Sequence, residues 1–128
     1  MRGPLVPSGT PLSRSRSELF DELVLDAVER LEVGWADSLR GIEFAVEDVP
    51  PPPVDGPRAA ETVLLGRSIP AGAGDPARVV VYRRPIEARV SGERARGALV
   101  QDVVVEQVAE LLGLEPETLD PDYGPEAG

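Results

Sequence analysis

The chain has 128 residues, 41% of them hydrophobic, which is enough to build the core of a single domain. Its formal net charge is −10, so a nucleic-acid backbone would be repelled and no nucleic-acid partner is predicted. The chain contains no Cys and no His, which excludes disulfides, thiolate nucleophiles and imidazole metal ligands.

The first 14 residues carry three Pro and two Gly before any periodic pattern begins, and we expect them to form a disordered leader. They lack the continuous apolar run of a signal peptide. No stretch reaches the length of a membrane span, so we expect no membrane partner and a cytoplasmic location.

Residues 15–33 show the clearest helical period. Ser15 or Ser17 can cap the start of this helix, and Gly34 can end it. Trp35 and Leu39 are expected to belong to a short second turn of helix. Its apolar side chains share one stripe with a 3.6-residue period, so one face is expected to pack on a core: Phe20, Leu23, Val24, Ala27, Val28 and Leu31.

The middle of the chain has the patterns of strands. Residues 42–47 alternate between apolar and charged or small side chains, as in a half-buried strand. Pro50–Pro53 must end that strand; we interpret the run as a connector, with a polyproline ligand as the alternative. A second strand is expected at Thr62–Leu65 and a third at Arg78–Arg83, closed by Pro85.

A final long helix is predicted from Glu93 to Leu112, with Ser91 as its cap and Gly113 as its left-handed stop. Three consecutive valines at 103–105 favour a strand, but the apolar stripe through Val100, Val104 and Val108 favours the helix. The order of helix, strands and helix predicts an α+β domain with a small mixed sheet.

This last helix has the spacing of a metal-binding motif without its ligands. Glu106 and Glu110 stand four residues apart and therefore on one helix face, and Gln107 holds the position of a general base. No other catalytic set replaces them, since the serines have neither His nor Lys as a partner. Arg83 and Arg84 can clamp an anion, but we prefer a strand end that pairs with neighbouring acids.

Five stretches, in the right order and with matching gaps, resemble the small zincin-like metallopeptidase family common in actinobacteria. The resemblance covers Ser17 to Leu119, roughly four-fifths of the chain. The stretches are F-D-E-L-V-L-D-A-V-E-R-L, V-E-D-V-P, L-L-G-R-S-I-P, V-V-V-Y-R-R-P-I-E and V-V-E-Q-V-A-E-L-L-G-L. The last is similar to the family's V-V-H-E-x-A-H-H-F-G-I helix.

The resemblance implies a minimal gluzincin-type fold in which two His hold Zn²⁺ and a Glu activates the bound water. The first His corresponds to Glu106, the catalytic Glu to Gln107 and the second His to Glu110. A further acidic ligand of the family falls at Pro116, beside Glu115. The implied domains are a leader at 1–14, one zincin-like domain at 15–120 and a disordered tail at 121–128.

Two carboxylates without an imidazole favour hard cations over zinc, and a carboxamide cannot accept a proton from water. We therefore expect no catalytic residue, no bound metal and no cofactor. The leading hypothesis is a degenerate family member that acts as a binding or regulatory protein and holds a protein or peptide segment. The alternatives are a metal-dependent hydrolase using Glu106, Glu110 and a third acid, and a small acidic interaction module.

Overall fold

The computed structural model describes residues 15–52 and 64–124. In chain order the elements are α1 (Arg16–Leu39), β1 (Ile42–Glu47), β2 (Gly66–Ile69), β3 (Ala77–Tyr82), α2 (Arg83–Arg89), α3 (Glu93–Leu112) and α4 (Pro116–Leu119). The predicted α+β class is confirmed, with an N-terminal helix, a small sheet and a long C-terminal helix. The predicted leader at 1–14 lies outside the described residues, as do residues 125–128.

The first helix is capped as its sequence predicts but runs further. Ser15 Oγ accepts the Glu18 N–H at 3.2 Å, and Glu18 Oε1 accepts the Ser15 N–H at 2.9 Å, which is a complete capping box. The first helical stretch ends one residue after the predicted stop at Gly34, at a kink at Trp35 (φ −132°, ψ 26°), and the predicted second helical turn follows it to Leu39. Leu39 is buried, so packing favours the extra turn over the local glycine signal.

The sheet is mixed and has the strand order β1-β3-β2. β1 pairs in parallel with β3, placing Phe44 opposite Val79, and β2 pairs antiparallel with β3, placing Gly66 opposite Val81. The second strand was predicted at residues 62–65, but β2 begins later, at Gly66. Residues 62 and 63 of the predicted span lie outside the described residues.

Pro85 was predicted to close the third strand, but the strand ends earlier, at Tyr82. Pro85 lies in α2, a short helix that begins directly after β3. Proline is tolerated in a first helical turn because the N–H it lacks would have no partner there. Arg83 joins this corner to the end of β1, with 3.0 Å contacts to both Asp48 and Glu87, as the strand-end interpretation predicts.

The long helix α3 lies at the centre of the core and matches its predicted bounds. Its start differs in one respect, because Gly92 takes the cap position and no side chain caps it. The helix is buried on several sides, which explains how it keeps its run of β-branched residues. The core joins α3 to α1 and β3, and its buried members include Phe20, Val24, Leu31, Val79, Val81, Val100, Val104, Val105 and Val108.

Among the described residues, no helix combines the length and the apolar character needed to cross a membrane.

Candidate functional site

The helix α3 points its three motif positions in different directions. Gln107 faces β2: a Cβ on Gly66 would lie 3.2 Å from Gln107 Cγ and 2.7 Å from Val103 Cγ1. Only glycine allows β2 to approach the helix this closely. Glu106 lies about 100° around the helix from Gln107, and Glu110, one turn further on from Glu106, projects into solvent. We call the face bearing these three residues the motif cleft.

Glu106 is half-buried beneath the last described residues. The short helix α4 docks through the buried side chain of Leu119, and residues 120–124, the C-terminal segment, then turn back along α3. The turn is held by the Tyr123 N–H donating to Asp120 O at 2.9 Å and the Asp122 N–H donating to Asp120 Oδ1 at 3.0 Å. Tyr123 then donates its hydroxyl hydrogen to Glu106 Oε2.

A second carboxylate on the same side of α3 holds the segment one turn earlier. Asp102 Oδ1 accepts the N–H of Gly124 at 3.3 Å. Burial raises the pKa of Asp102, the charge of Asp120 acts in the same direction, and the Gly124 hydrogen bond partly opposes them. Residues 121–124 of the predicted tail are thus placed against the helix by two hydrogen bonds.

The hydroxyl of Tyr123 is held neutral. Its pKa is raised strongly by burial, then by the hydrogen bond to Glu106 and by the charges of Glu106, Asp102 and Glu117. A neutral tyrosine can donate a hydrogen bond and a carboxylate can only accept one, so Tyr123 is the donor and Glu106 the acceptor. Tyr123 therefore binds Glu106 where the resemblance would place a metal.

The motif residues do not fit zinc. Zinc sites in proteins need three or four ligands drawn from His, Cys and carboxylates. Glu106 already accepts a hydrogen bond from Tyr123, Gln107 offers a carboxamide, and Glu110 is exposed. Across the described parts of the chain, no group of three or more His, Cys, Asp or Glu side chains is arranged to hold a metal ion.

Sequence reasoning located the motif but not the residues that contact it. Asp102 lies off the predicted apolar stripe of the helix, which indicates a solvated side chain, whereas it is half-buried and accepts a hydrogen bond from Gly124. Tyr123 was assigned to a tail. One signal pointed to it, because Tyr123 is the only aromatic residue after Tyr82 and stands in an otherwise polar, acidic stretch.

Comparisons with known proteins agree with this fold. The model of the zincin-like metallopeptidase family matches residues 39–124. A conserved hypothetical protein from T. thermophilus is similar in structure, with a TM-score of 0.52 and 22% sequence identity over 76% of this chain and 94% of that one. At that identity the likeness concerns the fold alone. No curated protein matches the sequence with significance.

Proposed function

Because the chain belongs to the zincin-like metallopeptidase family, we propose that it is a non-catalytic member of that family that holds an extended protein segment in its motif cleft. The observation that supports this most directly is the state of the motif. Gln107 stands where the general base is expected, and Glu106 is engaged by Tyr123 of the same chain. The carboxamide of Gln107 cannot take a proton from a metal-bound water, and one oxygen of Glu106 is occupied by the tyrosine.

A chain without hydrolytic activity can still bind a peptide along the edge of β2 beside α3. β2 is an edge strand in the described part of the sheet and lies directly beside α3. Leu65 O accepts the Tyr82 N–H at 3.0 Å. Because the two hydrogen-bonding directions alternate along a strand, Arg67 and Ile69 also direct their backbone groups at β3. Gly66 and Ser68 therefore direct theirs outward.

An outward-facing strand edge recognises extended peptides by adding them to the sheet. Such a peptide would run along β2, with α3 and its motif positions as the floor of the cleft. The backbone of the peptide supplies most of the hydrogen bonds, so the arrangement needs no catalytic residue. The protein would thus bind a peptide along β2, as the fold of a peptidase allows, without hydrolysing it.

The catalytic half of the proposal is tested by metal content and hydrolysis. Protein purified without chelator is expected to carry no stoichiometric zinc and to leave a casein substrate intact. As a positive control, Glu106→His, Gln107→Glu, Glu110→His and Pro116→Glu are combined with Tyr123→Phe, which frees position 106; this variant is expected to bind zinc because it restores the two His and the further acid that the resemblance implies as ligands. Stoichiometric zinc in the native chain, with peptidase activity lost in Glu106→Ala, would overturn the proposal.

The binding half is tested at Ser68. Peptides selected from a random library against the full chain are expected to lose affinity for Ser68→Pro, which removes an outward N–H but no predicted bond to β3. The complementary change is made in the peptide: N-methylation at alternate residues removes the backbone N–H groups that would donate to β2, and this peptide is also expected to bind more weakly. If the selected peptides bind native protein and Ser68→Pro equally, the strand edge is not the binding site.

A further inference from the structure

A groove of about 680 Å³ runs between α1, α3 and the C-terminal segment, and no residue of β2 or of the motif lines it. We call it the α1–α3 groove. Its floor is apolar, formed by the buried side chains of Leu31 and Leu119 and the half-buried Leu99. Ala95 and Ala98 on the α3 wall are too small to fill the space. The groove is thus a consequence of small residues placed beside large ones.

The rim of this groove is negatively charged. Asp102, Asp120 and Asp122 all line it, and Arg30 is the one basic residue on its wall in the described part of the chain. The ion pairs of the described residues, which involve Arg40, Arg78 and Arg83, leave the three aspartates without a cation. Like charges held together over an apolar floor attract a cationic partner.

A second observation at the same groove concerns Gln101. Its side-chain Oε1 is buried and has no hydrogen-bond partner within the described residues. A buried carbonyl oxygen without a donor is costly, and such groups are normally satisfied. Gln101 lines the groove next to Asp102, so a turn of its side chain would bring this enclosed oxygen to a donor on an occupant.

We propose that the α1–α3 groove is a docking site for a segment of another protein that carries an arginine or lysine next to aliphatic residues. The aliphatic side chains pack on Leu31, Leu99 and Leu119, and the cation lies among Asp102, Asp120 and Asp122. When the Gln101 side chain turns towards the groove, hydrogen atoms of the headgroup or of the adjacent backbone satisfy its oxygen. This surface is distinct from the edge of β2 and does not depend on the motif.

The aspartates can be neutralised without disturbing the segment that carries them. Asp120 Oδ1 accepts the Asp122 N–H, and Asp102 Oδ1 accepts the Gly124 N–H. An Asn side chain keeps that oxygen and loses the charge. The combination of Asp120→Asn and Asp122→Asn therefore removes charge from the rim and leaves the turn intact. The matched control, Asp37→Asn with Asp75→Asn, removes the same charge from exposed positions away from the groove.

The experiment is a titration of the full ¹⁵N-labelled chain, followed by amide chemical shifts, with the capped peptide acetyl-Leu-Arg-Leu-amide. In the native chain, saturable shifts are expected at Gln101, Asp102 and Gly124. The Asp120→Asn, Asp122→Asn protein is expected to bind the peptide at least about tenfold more weakly, and the matched control is expected to bind it with unchanged affinity. Arg30→Gln is expected to bind more tightly, because it removes the opposing charge. The spectra also report whether each variant is folded.

The isosteric citrulline peptide separates charge from shape. It is expected to bind at least about tenfold more weakly than the arginine peptide. Absence of saturable shifts at the groove, equal affinity for the two peptides, or unchanged affinity in the Asp120→Asn, Asp122→Asn protein would each overturn the proposal. None of these outcomes bears on the metal or Ser68 experiments.

Discussion

The hydroxyl of Tyr123 is the contact that ties the C-terminal segment to the motif helix. Removing it with Tyr123→Phe leaves Glu106 half-buried and without its donor, and we expect the free energy of unfolding to fall by about 1–2 kcal/mol. Urea denaturation measures the change. Glu106→Gln is the matched control, because the amide oxygen still accepts the hydroxyl and the loss is expected to be smaller. An unchanged stability in Tyr123→Phe would mean that Leu119 and the Gly124 hydrogen bond hold the segment without the tyrosine hydroxyl.

The same residue gives the protein a distinct alkaline behaviour. The chain has no Lys and no Cys, so in the unfolded chain its two tyrosines are the side chains that titrate between about pH 9 and 11. Burial raises the pKa of both Tyr82 and Tyr123. A group whose pKa is raised on folding contributes stability that is complete below its unfolded value, near 10, and is lost as the pH rises towards its folded value.

Stability is therefore expected to decline above about pH 10, and phenolate absorbance of the native chain is expected to develop at higher pH than that of the urea-unfolded chain. Tyr123→Phe should show a shallower decline, because only Tyr82 remains. Urea titrations at a series of pH values measure this. If the native and unfolded tyrosines ionise together, the contact with Glu106 does not persist in solution.

Asp102 is predicted to behave in the opposite way from a stabilising carboxylate. Its pKa is raised, so its contribution to stability is complete below the unfolded value of about 4 and is lost as the pH rises through the folded value. At neutral pH the ionised side chain is thus a mild cost. Asp102→Asn keeps the acceptor for Gly124 and should raise stability at pH 7 by less than about 1 kcal/mol, with no gain at pH 3. A loss at pH 7 would contradict this.

The packing of β2 on α3 depends on one glycine. In Gly66→Ala the new Cβ would lie 2.7 Å from Val103 Cγ1 and 3.1 Å from Val80 O, so the strand or the helix must shift. We expect the free energy of unfolding to fall by about 1–3 kcal/mol. Amide exchange should show faster opening of β2.

Gly97 offers a matched control on the same helix. A Cβ there would lie 3.5 Å from Leu23 Cδ2, an ordinary contact, in the interior of a helix where glycine is unfavourable. Gly97→Ala is therefore expected to raise stability by about 0.5–1 kcal/mol. Changes of the same sign in the two variants would show that the close approach at Gly66 does not govern the packing.

The helices were predictable where local chemistry and tertiary packing agree. The capping box at Ser15 and the left-handed Gly113 (φ 70°) mark helix ends that packing also favours. They diverge just after Gly34, where the second helical turn joins the first helix across the Trp35 kink and buries Leu39, and at Pro85, where a short helix follows a strand without a gap. Both differences arise because a contact distant in sequence outweighs a local signal.

The site was predictable only along the helix that carries it. The i, i+4 spacing of Glu106 and Glu110 follows from helix geometry and holds in the structure. The contact of Glu106 with Tyr123 spans 17 residues and depends on where α4 turns the chain, which no local pattern specifies. The approach of Gly66 to Gln107 is likewise a product of the sheet register.

The charge of the whole molecule provides a last prediction. With a net charge of −10, the folded chain brings many carboxylates closer together than the unfolded chain does, and this self-repulsion lowers stability. The ion pairs Arg40–Asp37 and Arg78–Glu43 are largely exposed and contribute little that salt can remove. Adding NaCl screens the repulsion, so the free energy of unfolding in urea is expected to rise by about 1 kcal/mol between low and high salt. A decrease with salt would mean that specific ion pairs, such as those of the half-buried Arg83, outweigh the general repulsion.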